Sequence, residues 1–337
     1  MSTAHPCVGI IVNPSSGRDI RRLLSRASVF PSGEKINIVL RLLAGLGALG
    51  VAEVLLMPDD AGIAAGIVRE AASARKGHPL PHVQTLPLAV EGNADDTRRA
   101  VRLMLEHGVD AIVVLGGDGT HRVVSGVCAQ TPLLALSTGT NNAFPELREA
   151  TPAGIALGLL VSGRVPRELA LRRNKLIRVH YAGREEIALV DVCVAHQPFL
   201  GARAVWQPGD LSAIFVTFAE PRNIGLTSIV AWSLPVSRGD PWGAQLRFGP
   251  GGGTVLAPIA PGLVERIELR EAARLAPNEP IILPPSRGTI ALDGEREFEL
   301  DGAERAMITL DLHGPLTLNV DATLTYAARQ GLLRQHD

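Results

Sequence analysis

Residues 110–128 read D-A-I-V-V-L-G-G-D-G-T-H-R-V-V-S-G-V-C, an apolar run followed by glycines and then by valines at helical spacing. The run Ala111–Leu115 is typical of a strand that is buried on both faces, and the valines after it are typical of one face of a helix. The pentamer Gly116–Thr120 lies between them. The pattern therefore predicts a glycine-rich turn that leads from a buried strand into a helix.

Such a turn is a candidate anion site. Glycine lets the backbone approach a ligand closely and adopt positive φ. The free N–H groups and the dipole at the start of a helix favour phosphate. Asp118 is the exception, because a carboxylate repels phosphate unless a metal bridges the two or the acid takes part in the chemistry. The alternative is an ordinary turn of an α/β fold, in which glycine pairs are common.

Two further polar loops follow predicted strands. The loop 13–17, N-P-S-S-G, ends a short β-branched run, and the loop 139–142, G-T-N-N, ends another apolar run. Each loop alone is also compatible with a turn or a helix cap. Ligands of doubly wound sheets bind at the carboxyl ends of the strands. We therefore expect Asn13, Asp118 and Asn142 to meet at one edge of the sheet.

The pentamer resembles the Gly-Gly-Asp-Gly-Thr signature of the NAD kinase and diacylglycerol kinase superfamily. Three other stretches agree with that superfamily in the same order along the chain. Residues 13–17 resemble its first nucleotide loop, 139–144 resemble the Gly-Thr-x-Asn loop of the lipid-kinase branch, and 293–295, D-G-E, resemble a late acidic motif of that branch. The Gly-Thr-Asn-Asn-Ala-Phe-Pro variant is most similar to the AcoX-type group of ATP-NAD kinase-like proteins, which is associated with acetoin catabolism.

The resemblance implies an ATP-dependent kinase that phosphorylates a hydroxyl of NAD or a related small acceptor at an interdomain cleft, with Mg²⁺ as the expected metal. The aspartate of the pentamer is essential in that family, so Asp118 is the expected catalytic residue, with Glu295 and Asp293 as further acids. Asp191 is expected at the acceptor, and no dedicated metal ligand is assigned. The expected nucleotide-binding residues are Asn13, Pro14, Ser15, Gly17, Gly116, Gly117, Gly119, Thr120, Gly139, Thr140, Asn141 and Asn142.

The acidic residues have alternative interpretations. Asp118 either accepts the proton of the acceptor hydroxyl or holds magnesium through water. Asp293-Gly294 is also a favoured two-residue turn within the strand–turn–strand pattern Thr289–Leu300. Asp191 lies in the apolar strand pattern Ile187–Ala195, where an unpaired acid is costly to bury, so it has a partner or faces a cleft.

Two positions depart from the superfamily motifs. This chain has Val190-Asp191 where NAD kinases carry Asn-Glu, and Arg122-Val123 where lipid kinases carry Asn-Glu after the pentamer. The phosphate loops are kept, but both acceptor motifs are altered. A nucleotide- or dinucleotide-sensing protein with little turnover, linked to acetoin catabolism, is therefore a second hypothesis, and a lipid kinase is a third. For His121 we favour a solvent-facing side chain over a contact with phosphate.

The order of the predicted elements indicates two domains. Strands and helices alternate over the first half, which is typical of a doubly wound, mostly parallel sheet. In the second half, short strands divided by proline and glycine predict a β-rich domain. The resemblance implies that the C-terminal helix returns to the first domain. We predict a nucleotide-binding domain at 1–164, with 318–337 packed on it, and an acceptor-binding domain at 165–317.

Composition narrows the classes of partner. Lysine and arginine total 33 and aspartate and glutamate 34, and the formal net charge of −1 argues against nucleic acid and acidic membranes. Three widely spaced cysteines suit a reducing cytoplasm. The apolar segment Leu42–Met57 is interrupted by Glu53 and is shorter than the ~20 residues of a membrane-spanning helix. A small-molecule acceptor is the expected partner, and a homo-oligomer is expected by analogy only.

Overall fold

The computed structural model describes residues 5–16, 31–73, 79–138, 142–196 and 210–334. No helix within these ranges is long and apolar enough to cross a membrane. Four residues of the predicted nucleotide loops lie outside the described residues, and their contribution stays a prediction: Gly17, Gly139, Thr140 and Asn141.

The first half of the chain is built on a parallel sheet. Its strands are β1 (Cys7–Val12), β2 (Glu53–Leu56), β3 (His82–Thr85), β4 (Ala111–Gly116), β5 (Leu133–Ser137), β6 (Leu171–Arg173) and β18 (Leu316–Leu318). The order across the sheet is β3-β2-β1-β4-β5-β18-β6, and the pairings are parallel except that of β6 with β18. The chain changes direction across the sheet between β1 and β4, the point where such sheets form a ligand crevice.

Helices cover both faces of this sheet. The described helices of the whole chain are α1 (Ser32–Ala48), α2 (Ile63–Ala72), α3 (Ala94–His107), α4 (Asp118–Ser125), α5 (Ala150–Val161), α6 (Arg167–Ala170), α7 (Leu226–Ala231) and α8 (Val320–Arg329). Of these, α7 packs in the core of the second half. Successive residues of β1 point to opposite faces. Ile10 belongs to the core formed with α1, α2 and α5, whereas Ile11 belongs to the core formed with α3 and α4. Helix α8 joins the first of these cores through Val320 and Ala327.

The second half consists of two antiparallel sheets. Their strands are β7 (Leu176–Tyr181), β8 (Arg184–Ala188), β9 (Asp191–Ala195), β10 (Leu211–Val216), β11 (Gly243–Phe248), β12 (Thr254–Ala260), β13 (Leu263–Leu275), β14 (Ile281–Leu283), β15 (Arg287–Leu292), β16 (Glu295–Asp301) and β17 (Ala306–Asp311). One sheet has the order β12-β13-β11-β10-β9-β15-β16 and the other β14-β17-β7-β8. The predicted fold class is confirmed: a doubly wound first half, a β-rich second half and a returning C-terminal helix.

Two details differ from the sequence prediction. The strand predicted at Ile187–Ala195 is divided into β8 and β9, because the N–H groups of residues 189–191 donate to the Asp293 carboxylate instead of continuing one strand. Two short strands from the segment predicted as the second domain, β6 and β18, extend the first sheet. The proposed domain limits at residues 164 and 317 remain a prediction.

The crossing of α1 and α5 is close enough to require glycine. A Cβ atom at Gly45 would lie 2.6 Å from the carbonyl oxygen of Thr151 and 2.8 Å from the backbone nitrogen of Ile155. Backbone atoms cannot move aside as a side chain can, so the helices would have to separate. Gly33, in the first turn of the same helix, has no atom within 4 Å of the corresponding position.

This contrast yields a prediction for stability. Gly45→Ala should lower the free energy of unfolding by about 1–3 kcal/mol, the usual cost of overpacking a core. Gly33→Ala is the matched control and should leave it unchanged or raise it by up to about 1 kcal/mol, because alanine is the better helix former. Urea unfolding followed by circular dichroism measures both. Equal stability of Gly45→Ala and the parent chain would contradict the requirement for close helix contact.

Candidate functional site

The turn between β4 and α4 presents an open helix N-terminus. Gly117 is the N-cap residue, with φ −96° and ψ −176°, and no side chain caps the helix there. The first helical hydrogen bond runs from His121 N to Gly117 O at 3.1 Å. The N–H groups of the first turn, Asp118 to Thr120, have no acceptor within the helix. These groups and the helix dipole form a site of the kind that binds phosphate.

The first polar loop is docked directly on this turn. Asn13 Nδ2 donates to Thr120 Oγ1 at 2.8 Å, and Asn13 N donates to Leu115 O at 3.1 Å. The side-chain oxygen of Asn13 accepts from Ser15 N at 2.9 Å, which closes a local turn. One asparagine thus shapes its own loop and joins it to the pentamer.

A buried lysine holds the same loop from the helix side. Lys35 Nζ donates to the carbonyl oxygens of Asn13, Pro14 and Ser16 at 2.8, 2.9 and 2.8 Å. The residue is only 1% exposed, although lysine is rarely buried without partners. The sequence analysis missed it. The available signal was its helical register, because Lys35 precedes Ile38, Val39 and Leu42 on the buried face of α1.

The loop after β5 closes over the Asp118 carboxylate. Ala143 N donates to Asp118 Oδ2 at 3.0 Å, and Phe144 N donates to Oδ1 at 2.8 Å. Asn142 Nδ2 donates to Ser137 Oγ at 2.8 Å, and a Cβ atom at Gly117 would lie 3.0 Å from Asn142 Oδ1. The structure therefore brings Asn13, Asp118 and Asn142 together at the carboxyl edge of the sheet, as the order of the strands predicted.

The second half contributes the hairpin between β15 and β16. Its turn is Asp293-Gly294, with φ of 51° and 81°, so the hairpin interpretation of this pair holds. Glu295 reaches the pentamer: a Cβ atom at Gly119 would lie 2.9 Å from Glu295 Oε1. Gly119 is therefore needed for the close approach of this carboxylate. The hairpin is therefore compatible with a position of Glu295 at the pentamer, since Glu295 directly follows the turn and faces the first half.

Asp293 itself is turned into the second half. Its Oδ1 accepts from the N–H groups of Leu189, Val190 and Asp191 at 3.1, 2.8 and 3.2 Å. Burial raises the pKa of the Asp293 carboxyl to about 8, and the charges of Asp191 and Asp118 act in the same direction, against Arg122 and the backbone donors. This geometry fixes the break between β8 and β9, and a catalytic role for Asp293 remains a prediction.

Asp191 lies beside this buried acid. It is 8% exposed, and Cys193 Sγ lies 3.6 Å from its Oδ1. Burial, followed by the charge of Asp191, raises the pKa of the Cys193 thiol well above its usual range. Asp191 therefore has a partner, as its apolar setting required, and its contact with an acceptor remains a prediction.

Arg122 connects the two halves electrostatically and was noticed in the sequence only as a departure from a motif. It is 5% exposed, its Nη2 binds Glu297 and lies 3.5 Å from Glu295 Oε2, and its Nε lies 3.9 Å from Asp293 Oδ2. Glu186 Oε2 is 4.0 Å from Nη1. One guanidinium on α4 thus lies among four acids on β8 and the β15–β16 hairpin and pairs most closely with Glu297.

His121 does not face solvent, and the sequence prediction for it was wrong. The residue is 0% exposed, with Nδ1 2.8 Å from Gly117 O and the ring 5.7 Å from that of Phe144. Burial lowers the pKa of the His121 imidazole to about 4. The side chain is therefore neutral near pH 7 and packs the N-terminus of α4 against the loop after β5.

Away from Asp118, three side chains among the described residues are close enough together to be metal ligands. Cys7, Glu53 and His107 place ligand atoms within 4.8 Å of one another. They lie at the starts of β1 and β2 and the end of α3, on the amino edge of the sheet. This group is therefore on the opposite edge from Asp118 and does not belong to the candidate site.

Comparison with known proteins agrees with this architecture. Residues 8–165 match the sequence profile of the ATP-NAD kinase N-terminal domain, and residues 175–313 match that of the acetoin catabolism protein X C-terminal domain. The chain is 44% identical over 339 residues to acetoin catabolism protein X of Cupriavidus necator, with 98% of this chain and 94% of that protein covered. The chain belongs to the acetoin catabolism protein X family. The resemblance inferred from the loops is thereby confirmed.

The environment of Arg122 predicts a large effect on stability. Arg122→Leu removes the buried guanidinium between Glu297 and Asp293 and should lower the free energy of unfolding by up to about 3–5 kcal/mol, the cost of removing one partner of a buried ion pair. Arg98→Leu is the control, because Arg98 forms an exposed ion pair with Asp95 that is worth less than about 1 kcal/mol. Chemical denaturation at neutral pH compares the two. A small and equal effect of both substitutions would show that Arg122 does not join the two halves.

The buried histidine predicts a pH effect. Since folding lowers the pKa of His121, protons favour the unfolded chain, and this contribution to stability is complete above about pH 6.5 and lost as the pH falls towards 4. At pH 5 the loss amounts to about 2 kcal/mol. His121→Phe keeps the ring without the titration, so the parent chain should lose that much more stability than the variant between pH 8 and pH 5.

The raised pKa of Asp293 acts in the opposite direction, because it contributes stability at low pH that is lost as the pH rises through about 8. That contribution is common to the parent chain and His121→Phe and cancels in the comparison. Parallel pH profiles of the two proteins would contradict a neutral, buried His121.

Proposed function

We propose that this chain is an ATP-dependent kinase that transfers a phosphoryl group to a hydroxyl of NAD or a related small acceptor. The observation that supports this proposal most directly is the position of Asp118. Its carboxylate lies beside the uncapped N-terminus of α4, between the loop of Asn13 and the loop of Asn142. Membership of a family with an ATP-NAD kinase N-terminal domain supports the same reaction class.

The phosphates of the nucleotide are assigned to the open turn of α4. The N–H groups of residues 118–120 supply donors and the positive end of the helix dipole. Thr120 is already oriented by Asn13, and Asn13 is held by the loop that Lys35 fixes. Asn13 and Thr120 are therefore already positioned for the nucleotide, which reduces the cost of ordering them on binding.

The acceptor hydroxyl is assigned to the side of Asp118 that faces the second half. In the transfer, the bond between the terminal phosphorus and the bridging oxygen of ATP breaks, and a bond from phosphorus to the acceptor oxygen forms. The acceptor proton leaves to Asp118 or to water. Glu295, next to Gly119, is the second acid at this position.

The carboxylates at this position are compatible with the binding of a divalent cation. Two carboxylates, Asp118 and Glu295, adjoin a helix N-terminus that would carry phosphate, and their repulsion needs compensation. Mg²⁺ is commonly held by one or two carboxylates together with substrate phosphates and water. When bound, it would neutralise the charge that develops on the phosphoryl oxygens. Asp118 and Glu295 are the residues that would hold it.

One observation favours a second candidate, a nucleotide-sensing protein with little turnover. Both oxygens of Asp118 accept N–H groups of Ala143 and Phe144, which favours the charged carboxylate and makes it a weaker general base. A kinase would use the remaining lone pairs of the carboxylate for the acceptor. In a sensor the hydrogen bonds to Asp118 persist, and nucleotide binding is read out by the loop instead.

The test combines turnover and binding. The chain is incubated with ATP, Mg²⁺ and separate acceptors, which are NAD, diols related to acetoin, and diacylglycerol, and ADP release and phosphorylated product are measured. For the acceptor that reacts, Asp118→Asn should lower kcat by about 10²–10⁴-fold. Asp95→Asn is the control, because this acid is exposed on α3, and it should keep full activity.

The possible results separate the candidates. Turnover that Asp118→Asn abolishes supports the kinase. Nucleotide binding by calorimetry without product from any acceptor supports the sensor. A chain that binds no nucleotide would refute both proposals.

A further inference from the structure

A cluster of arginine side chains lies next to Ala143 and Phe144, whose N–H groups bind Asp118. A cavity of about 270 Å³ opens between β5, β18 and the start of α8 on one side and residues of the second half on the other. Four cationic and two acidic side chains line it, which are Arg148, Arg172, Arg222 and Arg238, with Glu146 and Asp321. Glu220 pairs with Arg222 at 2.8 Å, which leaves one positive charge in excess.

The acids of the cavity do not neutralise all of its arginines. Arg148 takes both oxygens of Asp321, at 2.7 and 2.8 Å, and also binds Glu146. Arg172 is left with Glu146 at 3.9 Å. Arg238 is only 8% exposed, and the charges of Glu146, Glu220 and Asp118 act on it without forming an ion pair among the described residues. Such a buried cation without a counter-ion is costly.

Individual donor atoms are also unsatisfied. The Nε atoms of Arg172 and Arg238 are buried and have no hydrogen-bond partner among the described residues. Arg238 is held in place by the ring of Phe218, 4.0 Å from its guanidinium carbon, and by the carbonyl oxygen of Phe144 at 2.8 Å. Burial and the charge of Arg172 lower the pKa of Arg238 to about 10. An anion between the two arginines would relieve both the repulsion and the missing hydrogen bonds.

The backbone adds donors at the same place. Strand β18 is parallel to β5 and leads directly into α8, as β4 leads into α4. The N-cap residue Asn319 accepts from Ala322 N at 3.1 Å, so its side chain satisfies a single N–H. The N–H groups of Val320 and Asp321, at the first two positions of α8, have no acceptor within the helix. Both residues line the cavity.

We propose that this cavity binds a small phosphate-bearing anion, held by Arg172, Arg238 and the first turn of α8. The planar guanidinium groups suit the oxygens of phosphate, and the helix start adds its dipole. The volume is just below the range of about 300–1,000 Å³ that is typical of small-molecule pockets, which fits a compact phosphate ester and not a whole dinucleotide. Arg222, whose side chain is 73% exposed, lies at the entrance.

The occupant would contact the machinery that positions Asp118. Arg238 Nη2 donates to the carbonyl oxygens of Ala143 and Phe144, and the N–H groups of the same two residues bind Asp118. An anion that attracts Arg238 would weaken the hydrogen bonds from Arg238 to these carbonyl oxygens. The cavity is thereby placed to regulate the proposed reaction, but anion binding at the cavity does not depend on that reaction.

The test uses inorganic pyrophosphate as the probe, titrated into the full chain by calorimetry with EDTA and without nucleotide. Arg172→Gln should weaken binding about tenfold or more, since it removes a charged donor. The matched control is Arg173→Gln, the same change on the next residue of β6, whose guanidinium donates instead to Gly314 O at 3.0 Å and Gln130 Oε1 at 2.8 Å. The control should bind pyrophosphate within twofold of the parent chain.

A second variant covers the case in which Arg172→Gln fails to fold. Arg222→Gln changes an exposed side chain, so it should fold as the parent does and weaken pyrophosphate about threefold or more. Unchanged affinity in the folded variants would place any binding elsewhere, such as the turn of α4, and overturn the proposal. No binding at millimolar pyrophosphate, or equal losses in Arg172→Gln and Arg173→Gln, would also overturn it.

Discussion

The backbone of Ala143 and Phe144 is hydrogen-bonded on both sides by charged side chains, and the arrangement of the site depends on these bonds. Their N–H groups point to the Asp118 carboxylate of the first half, and their carbonyl oxygens point to the Arg238 guanidinium of the second half. Hydrogen bonds to charged groups are stronger than neutral ones. An anion on the donors and a cation on the acceptors therefore fix one short segment between the two halves of the chain.

The segment that carries Arg238 is itself fixed by a buried lysine. Lys175 Nζ donates to the carbonyl oxygens of Ser237, Asp240 and Trp242 at 3.1, 2.9 and 2.7 Å. Lys35 does the same for three carbonyls of the loop that contains Asn13. An ammonium group with its three donors can bind three carbonyl oxygens that converge on it. The loops on both sides of the site are thus shaped by the same interaction.

The sequence predicted the parts of this structure that depend on local pattern. An apolar run or a glycine turn lies within a short stretch of sequence, and so does a helix cap such as Asn93 at the start of α3. The alternating elements of the first half could therefore be predicted, and with them the meeting of Asn13, Asp118 and Asn142 at one edge of the sheet. Buried charges depend on partners far along the chain. Arg122 meets Glu297, 175 residues away, and Arg238 meets Ala143, 95 residues away. No local pattern reports such pairs. His121 was misplaced for the same reason, because its burial depends on Phe144.

Arg122 contacts the acids of the second half, and these contacts limit which of the acids a ligand could reach. Asp293 is saturated by backbone donors, and Glu297 is bound by Arg122, with Glu186 and Glu295 nearby. Arg122 is a positive charge where the lipid-kinase motif has a neutral asparagine, and Val123 stands where that motif has its glutamate. An acid that is already bound within the protein attracts a cation or a hydroxyl donor less strongly, because a ligand would have to replace the guanidinium or the backbone donors. Among the acids of this cluster, Glu295 is 44% exposed at its side chain and is the most accessible to a ligand. If the proposed function holds, an acceptor that approaches from this side would meet Glu295 first, whereas the other acids of the cluster contact Arg122 or the backbone.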